Sequence, residues 1–112
     1  LREYVGDSDR EVFVAMTVDN RNNVTSLSTV AIGNINSCII HPREVFKTAI
    51  LSNSAGIILC HNHPSGECQA SSEDIAVTAR LTEAGKILGI TIMDHIILGN
   101  NRFTSMKKES LM

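Results

Sequence analysis

The sequence predicts an α/β fold: a mixed β-sheet of about five to six strands with two packed helices. Three observations predict it. Apolar runs rich in Val, Ile and Thr are bounded by Asn, Asp and Gly, as strands are. Two stretches repeat apolar residues at helical spacing behind helix-start residues. The chain has 112 residues, which suits one domain.

Residues 1–10 are polar and charged and read as a lead-in, with a single domain over 11–112. Glu11–Val18 is a strand run, and Asp19-Asn20-Arg21-Asn22-Asn23 turns it. Val24–Ile35 follows as the hairpin partner, with Leu27, Thr29 and Ala31 alternating against Ser26 and Ser28. That alternation places Leu27 on the half-buried face. Ser37–Ile40 is a short third apolar piece, ended by Pro42.

Pro42 suits the first position of a helix, where its missing N–H is not needed. Val45, Phe46, Ala49 and Ile50 form an apolar stripe, so a helix is expected from about 42 to 52, stopping near Asn53. Ala55–Cys60 is continuously apolar, as a strand buried on both faces is. Pro64 and Gly66 stop it beyond His61-Asn62-His63. Ser71 and Asp74 resemble a capping box with Asp in its fourth place. Val77, Leu81, Ala84 and Leu88 give a second helix from about 72 to 88, ended by Gly89. Ile90–Leu98 reads as a strand, and Arg102–Ser105 as a short last one. One helix on each face of the sheet is an open arrangement.

Composition narrows the function classes. At 43% hydrophobic and 20% charged the chain is not a disordered one. With 4% aromatic residues and no Trp, its core is aliphatic. A net charge of −2 argues against a surface for non-specific nucleic-acid binding, and nucleic acid gains no support from this fragment. The three cysteines, Cys38, Cys60 and Cys68, do not read as a disulfide framework but as reduced thiols of a cytoplasmic protein. No stretch is long and apolar enough for a membrane span, and no leader is recognisable. The chain opens on Leu1, so a domain drawn from a longer protein is expected.

His61 and His63 stand two apart at a strand end, so both imidazoles point to one face and can share an ion. Asp74 begins the long helix. If the intervening loop folds back, it completes a set of two nitrogens and one oxygen with an open position, the pattern of a catalytic zinc site. Cys68 is a rival third ligand that would close the site as a structural one. Asp74 taken alone reads rather as an N-terminal helix carboxylate meeting the positive end of the dipole. Cys60 faces the other way and belongs to the core. His95 is a packed strand histidine or one that orients a ligand, and His41 is structural.

His61-x-His63, seven residues and then Ser71-x-x-Asp74 match the JAMM (MPN+) metalloprotease signature H-x-H-x7-S-x-x-D. The strings HPREVFKTAI, ILCHNHPSGE, SSEDIAVT, EAGKILGI and DHIILG resemble the RadC-like branch of that superfamily. The likeness runs over about residues 10–105. One departure is that Cys68-Gln69-Ala70 stands where the branch usually has a P-x-P text, which loosens the loop.

The resemblance implies the JAB/MPN fold, which is cytidine-deaminase-like. It implies a Zn2+ hydrolase that cleaves peptide or isopeptide amide bonds with a zinc-activated water. His61, His63 and Asp74 are then the metal ligands, and Ser71 the hydroxyl that supports the tetrahedral intermediate. A glutamate general base is also implied, and Glu11 is favoured over Glu44, whose place in a first helical turn is ordinary. The partner is a peptide or protein substrate, and related domains often form homodimers. The branch also carries a historical DNA-repair label, so a DNA-repair-associated module is an alternative, as is a non-catalytic interaction domain.

Overall fold

A computed structural model describes residues 10–33 and 40–112 of the chain. The expected lead-in falls outside the described residues except for Arg10. So do Ser37, Cys38 and Ile39 of the third apolar piece and the end of the second expected strand.

Strand β1 (Glu11–Val18) turns back into β2 (Val24–Gly33). Asp19 makes the turn, its Oδ1 accepting the N–H groups of Arg21 and Asn23, both at 2.9 Å. Helix α1 (Pro42–Leu51) leads to β3 (Gly56–Asn62), and α2 (Ser72–Leu88) leads to β4 (Thr91–Leu98) and β5 (Phe103–Ser105). Among the described residues the strands form one five-stranded sheet in the order β2-β1-β3-β4-β5. The β3–β4 pair is parallel and the other pairs are antiparallel. The mixed α/β sheet with two helices among the described residues is thus what the sequence predicts.

Both helices lie on one face. Val45, Phe46 and Ala49 of α1 and Val77 and Leu81 of α2 share a core cluster with Phe13, Ala15, Ile57 and Leu59 of the sheet. Connection handedness explains it. The crossovers β2-α1-β3 and β3-α2-β4 step across the sheet in the same direction, and right-handed crossovers in one direction put their helices on one side. The opposite face carries a smaller cluster of Val14, Cys60 and Leu98.

Two readings of buried faces change. Leu27 and Thr29 are exposed, and Ser26 and Ser28 face the helix side. The cause is an extra residue in β2: Phe13 pairs with Ala31 but Val14 with Thr29, so the facing of the strand reverses at Val30. Ile50 and Leu88, expected on the buried stripes, are 56% and 48% exposed. They sit with Pro42 and Phe46 around a shallow groove at the helix ends.

Local chemistry fixes the ends of α2. Ser71 is its N-cap, and Gly89 closes it with a φ of 74°, in the left-handed region that glycine enters without steric cost. A close approach fixes the loop that follows His63. A Cβ on Gly99 would stand 2.5 Å from the Gly66 carbonyl oxygen and 3.0 Å from the Cys68 Cβ. Only a bare backbone at Gly99 lets the loop lie on the end of β4, where the Asn100 N–H donates to the Gly66 carbonyl at 2.7 Å. No helix among the described residues is long and apolar enough to cross a membrane.

Candidate metal centre

Strand β3 runs through His61 and Asn62, two residues beyond the expected end. His61 is therefore a strand residue facing the helix side, and His63 follows at the strand exit, where its N–H donates to the Leu98 carbonyl at 2.9 Å. Asp74 occupies the third position of α2 inside a reciprocal cap. Its Oδ2 accepts the Ser71 N–H at 2.8 Å, and its own N–H donates to Ser71 Oγ at 3.1 Å. The start of the helix thus aims the carboxylate.

Three donor atoms converge. His61 Nε2 lies 3.0 Å from His63 Nε2, and Asp74 Oδ1 and Oδ2 lie 3.0 and 3.1 Å from the two nitrogens. Ligand atoms around a four-coordinate zinc stand about 3.3 Å apart, since each sits roughly 2.0–2.1 Å from the ion. Two imidazoles and a carboxylate at this spacing fit such an ion. The side chains of His61, His63 and Asp74 are 1%, 15% and 11% exposed, so the cluster is buried behind and open on the His63 side.

Hydrogen bonds turn the imidazoles. The Glu67 carbonyl lies 3.1 Å from His63 Nδ1. A carbonyl only accepts, so Nδ1 carries the proton and Nε2 is left for the cluster. His61 Nδ1 lies 2.7 Å from Nε2 of His95, which is fully buried on β4.

Charge is tuned to match. Burial pushes the Asp74 carboxyl up, but hydrogen bonds from His61 and His63 outweigh it and hold it well below the usual carboxylate range. The hydrogen bond to Asp74 raises His63 above its ordinary value, against the opposing effect of burial. The Asp74 charge, the Glu67 carbonyl and the Glu11 charge add to the rise. Burial drives His95 down to about 3, so it is neutral at pH 7.

The two candidate glutamates separate. Phe13 pairs with His61 across the β1–β3 ladder, so continuing the register by two residues brings Glu11 level with His63 on the same face. Glu44 stands on α1, exposed, 3.8 Å from Arg43 Nε. Cys68 is not in the donor cluster. It lines a groove with Glu67, Gln69, Arg102 and Thr104 beside the site. Cys60 is buried on the opposite sheet face, as its strand position predicts.

The model of the RadC-like JAB domain family matches residues 1–111. The chain belongs to the RadC-like JAB domain family. A UPF0758 protein of Desulforamulus reducens is 50% identical over 112 residues, all of this chain and 49% of that protein. Another, of Moorella thermoacetica, is 51% identical over 104 residues, which is 93% of this chain and 45% of that protein. A third, of Methanococcoides burtonii, is 50% identical over 100 residues, 89% of this chain and 44% of that protein. The chain spans about half the length of the curated relatives it matches.

Sequence reasoning missed two residues around the site of this RadC-like JAB domain. Asn62 is buried, and its side chain clamps the backbone on either side of Glu11. Its Oδ1 accepts the Val12 N–H at 2.7 Å, and its Nδ2 donates to the Arg10 carbonyl at 2.9 Å. The second is Thr78, one turn after Asp74, whose hydroxyl donates to the Asp74 carbonyl at 2.7 Å. Spacing four after Asp74 was the available signal for Thr78. For Asn62 the signal was a polar residue inside a buried strand.

Proposed function

We propose that the domain is a zinc-dependent metallohydrolase of JAMM type that cleaves peptide or isopeptide amide bonds. The observation that carries this reading is the convergence of His61 Nε2, His63 Nε2 and the Asp74 carboxylate to about 3 Å of one another, at a rim open to solvent. A bound zinc would supply a Lewis acid for the scissile carbonyl and for water.

The chain's own residues supply the rest. Glu11, level with His63 and held by the Asn62 clamp, accepts the proton of the attacking water and delivers it to the leaving amine. Ser71 Oγ accepts the Asp74 N–H and so keeps its own proton to donate to the oxygen that gains charge. The substrate is a peptide or protein chain reaching the site past His63.

Metal analysis of purified protein and of His63→Ala tests the reading, followed by a peptide and isopeptide cleavage screen. About one zinc per domain is expected in the parent and none in the variant. Equal metal content in both would remove His63 from the ligand set.

A further inference from the structure

We infer that His95 and Thr78 are positioning residues that hold His61 as its Nδ1–H form, so that Nε2 is the nitrogen His61 offers to the cluster. The inference rests on the reading of His61, His63 and Asp74 as metal ligands.

The argument begins at the Asp74 carbonyl, which can only accept. Thr78 Oγ1 lies 2.7 Å from that oxygen and 3.6 Å from Met106 Sδ, a second acceptor. The single hydroxyl proton is used there, which leaves the Thr78 oxygen as an acceptor on its other side. That side meets His95 Nδ1 at 2.5 Å, so His95 Nδ1 carries a proton and donates it. A neutral imidazole protonated at Nδ1 has a bare Nε2. His95 Nε2 lies 2.7 Å from His61 Nδ1, which therefore donates in turn. Every proton is directed from the metal side towards the helix backbone.

The opposite direction fails on counting. If Thr78 donated to His95, the Asp74 carbonyl would face a lone pair at 2.7 Å. No water can compensate, because His61 is 1% exposed and Thr78 and His95 are 0% exposed. Phe13 closes the sides, stacking on His61 with centroids 5.8 Å apart and meeting His95 edge-on at 5.5 Å. The Met106 N–H holds the His95 carbonyl at 3.0 Å. Thr78 therefore ties two of the three donors together, Asp74 through its backbone and His61 through His95. Partners of this kind fix both the tautomer and the ring angle of a ligating histidine.

Long-range 15N NMR of the histidine rings in zinc-loaded protein tests the inference without any activity. We expect a protonated Nδ1 and a bare Nε2 on His95, and a protonated Nδ1 on His61. The near-isosteric Thr78→Val should give mixed His95 tautomers and weaken zinc binding by about 10–100-fold in chelator competition, with Thr78→Ser restoring both. A His95 protonated at Nε2, or a folded Thr78→Val matching the parent in both measurements, overturns it. If Thr78→Val does not fold, the parent spectrum decides. If the parent binds no zinc, the metal-site reading fails, while the His95 tautomer in the same protein still decides the relay.

Discussion

The Nδ1 of His61 and the Nε2 of His95 lie 2.7 Å apart in the interior, on adjacent parallel strands. The pair is not in direct register, since His61 pairs with Ile97 and His95 with Leu59. The two rings meet diagonally on one sheet face, and α2 covers them with Thr78.

The metal-free domain should be most stable near neutral pH. His95 has a folded value of about 3 against 6.5 when unfolded, so between these the unfolded chain binds the extra proton. Stability contributed by neutral His95 is full above 6.5 and is lost as pH falls, by at most about 1.4 kcal/mol per pH unit. Asp74, held low, adds to the loss once pH falls below 3.8. His63, held high, contributes below 6.5 and loses that contribution as pH rises through its folded value. Urea denaturation in chelator across this range checks the profile. A flat line from about pH 6.5 to about pH 4 contradicts the His95 assignment.

Replacing Asp74 by Asn should separate cap from ligand. The amide oxygen can still accept the Ser71 N–H, so helix α2 persists and metal-free stability changes by about 1 kcal/mol or less. Zinc affinity should fall by more than tenfold, because the charged donor is gone. Titration with zinc alongside circular dichroism reads both.

Ser71→Ala should do the reverse first. Loss of the cap costs about 1 kcal/mol in the metal-free domain, with a further loss of zinc affinity as the carboxylate is no longer aimed. Denaturant midpoints with and without zinc should differ less in the variant than in the parent.

Glu11→Gln should keep the zinc content and lower peptide cleavage by about 10²–10⁴-fold, the range for loss of a general base. Glu44→Gln, at an exposed position on α1, should leave cleavage unchanged. Parallel metal analysis and single-substrate kinetics on both variants decide between the two glutamates.

Gly99→Ala should push the loop after His63 off the end of β4, since its Cβ would stand 2.5 Å from the Gly66 oxygen. A cost of about 1–3 kcal/mol is expected, with weaker zinc binding because the Glu67 carbonyl moves away from His63. Calorimetry and metal titration measure the two effects.

The sequence made the donor set legible because its spacing reflects geometry. Two histidines on a strand share a face by alternation, and Ser71 and Asp74 show in the capping pattern of a helix start. The ends of α1 and α2 were legible for the same reason, through Pro42 and Gly89. What sequence could not show depends on register. The reversal of β2 at Val30 exists only once β1 pairs with it, which is why Leu27 was placed on the wrong face. The partnership of His95 and Thr78 needs three elements packed together, and neither residue belongs to a spacing pattern. Ile50 and Leu88 satisfy helical periodicity, yet both line an open groove that α1 shares with the end of α2.

In β4, Ile57 pairs with Ile92 but Ile58 with Asp94, so Met93 is an extra residue in the ladder. It sets the parity that turns His95 inward. Removing one codon anywhere between Ile92 and His95 would turn the imidazole towards the far face while leaving His61, His63 and Asp74 intact. Length in that short stretch is therefore as much a part of the site as the identity of its histidines. Homologues should tolerate exchanges there far better than insertions or deletions.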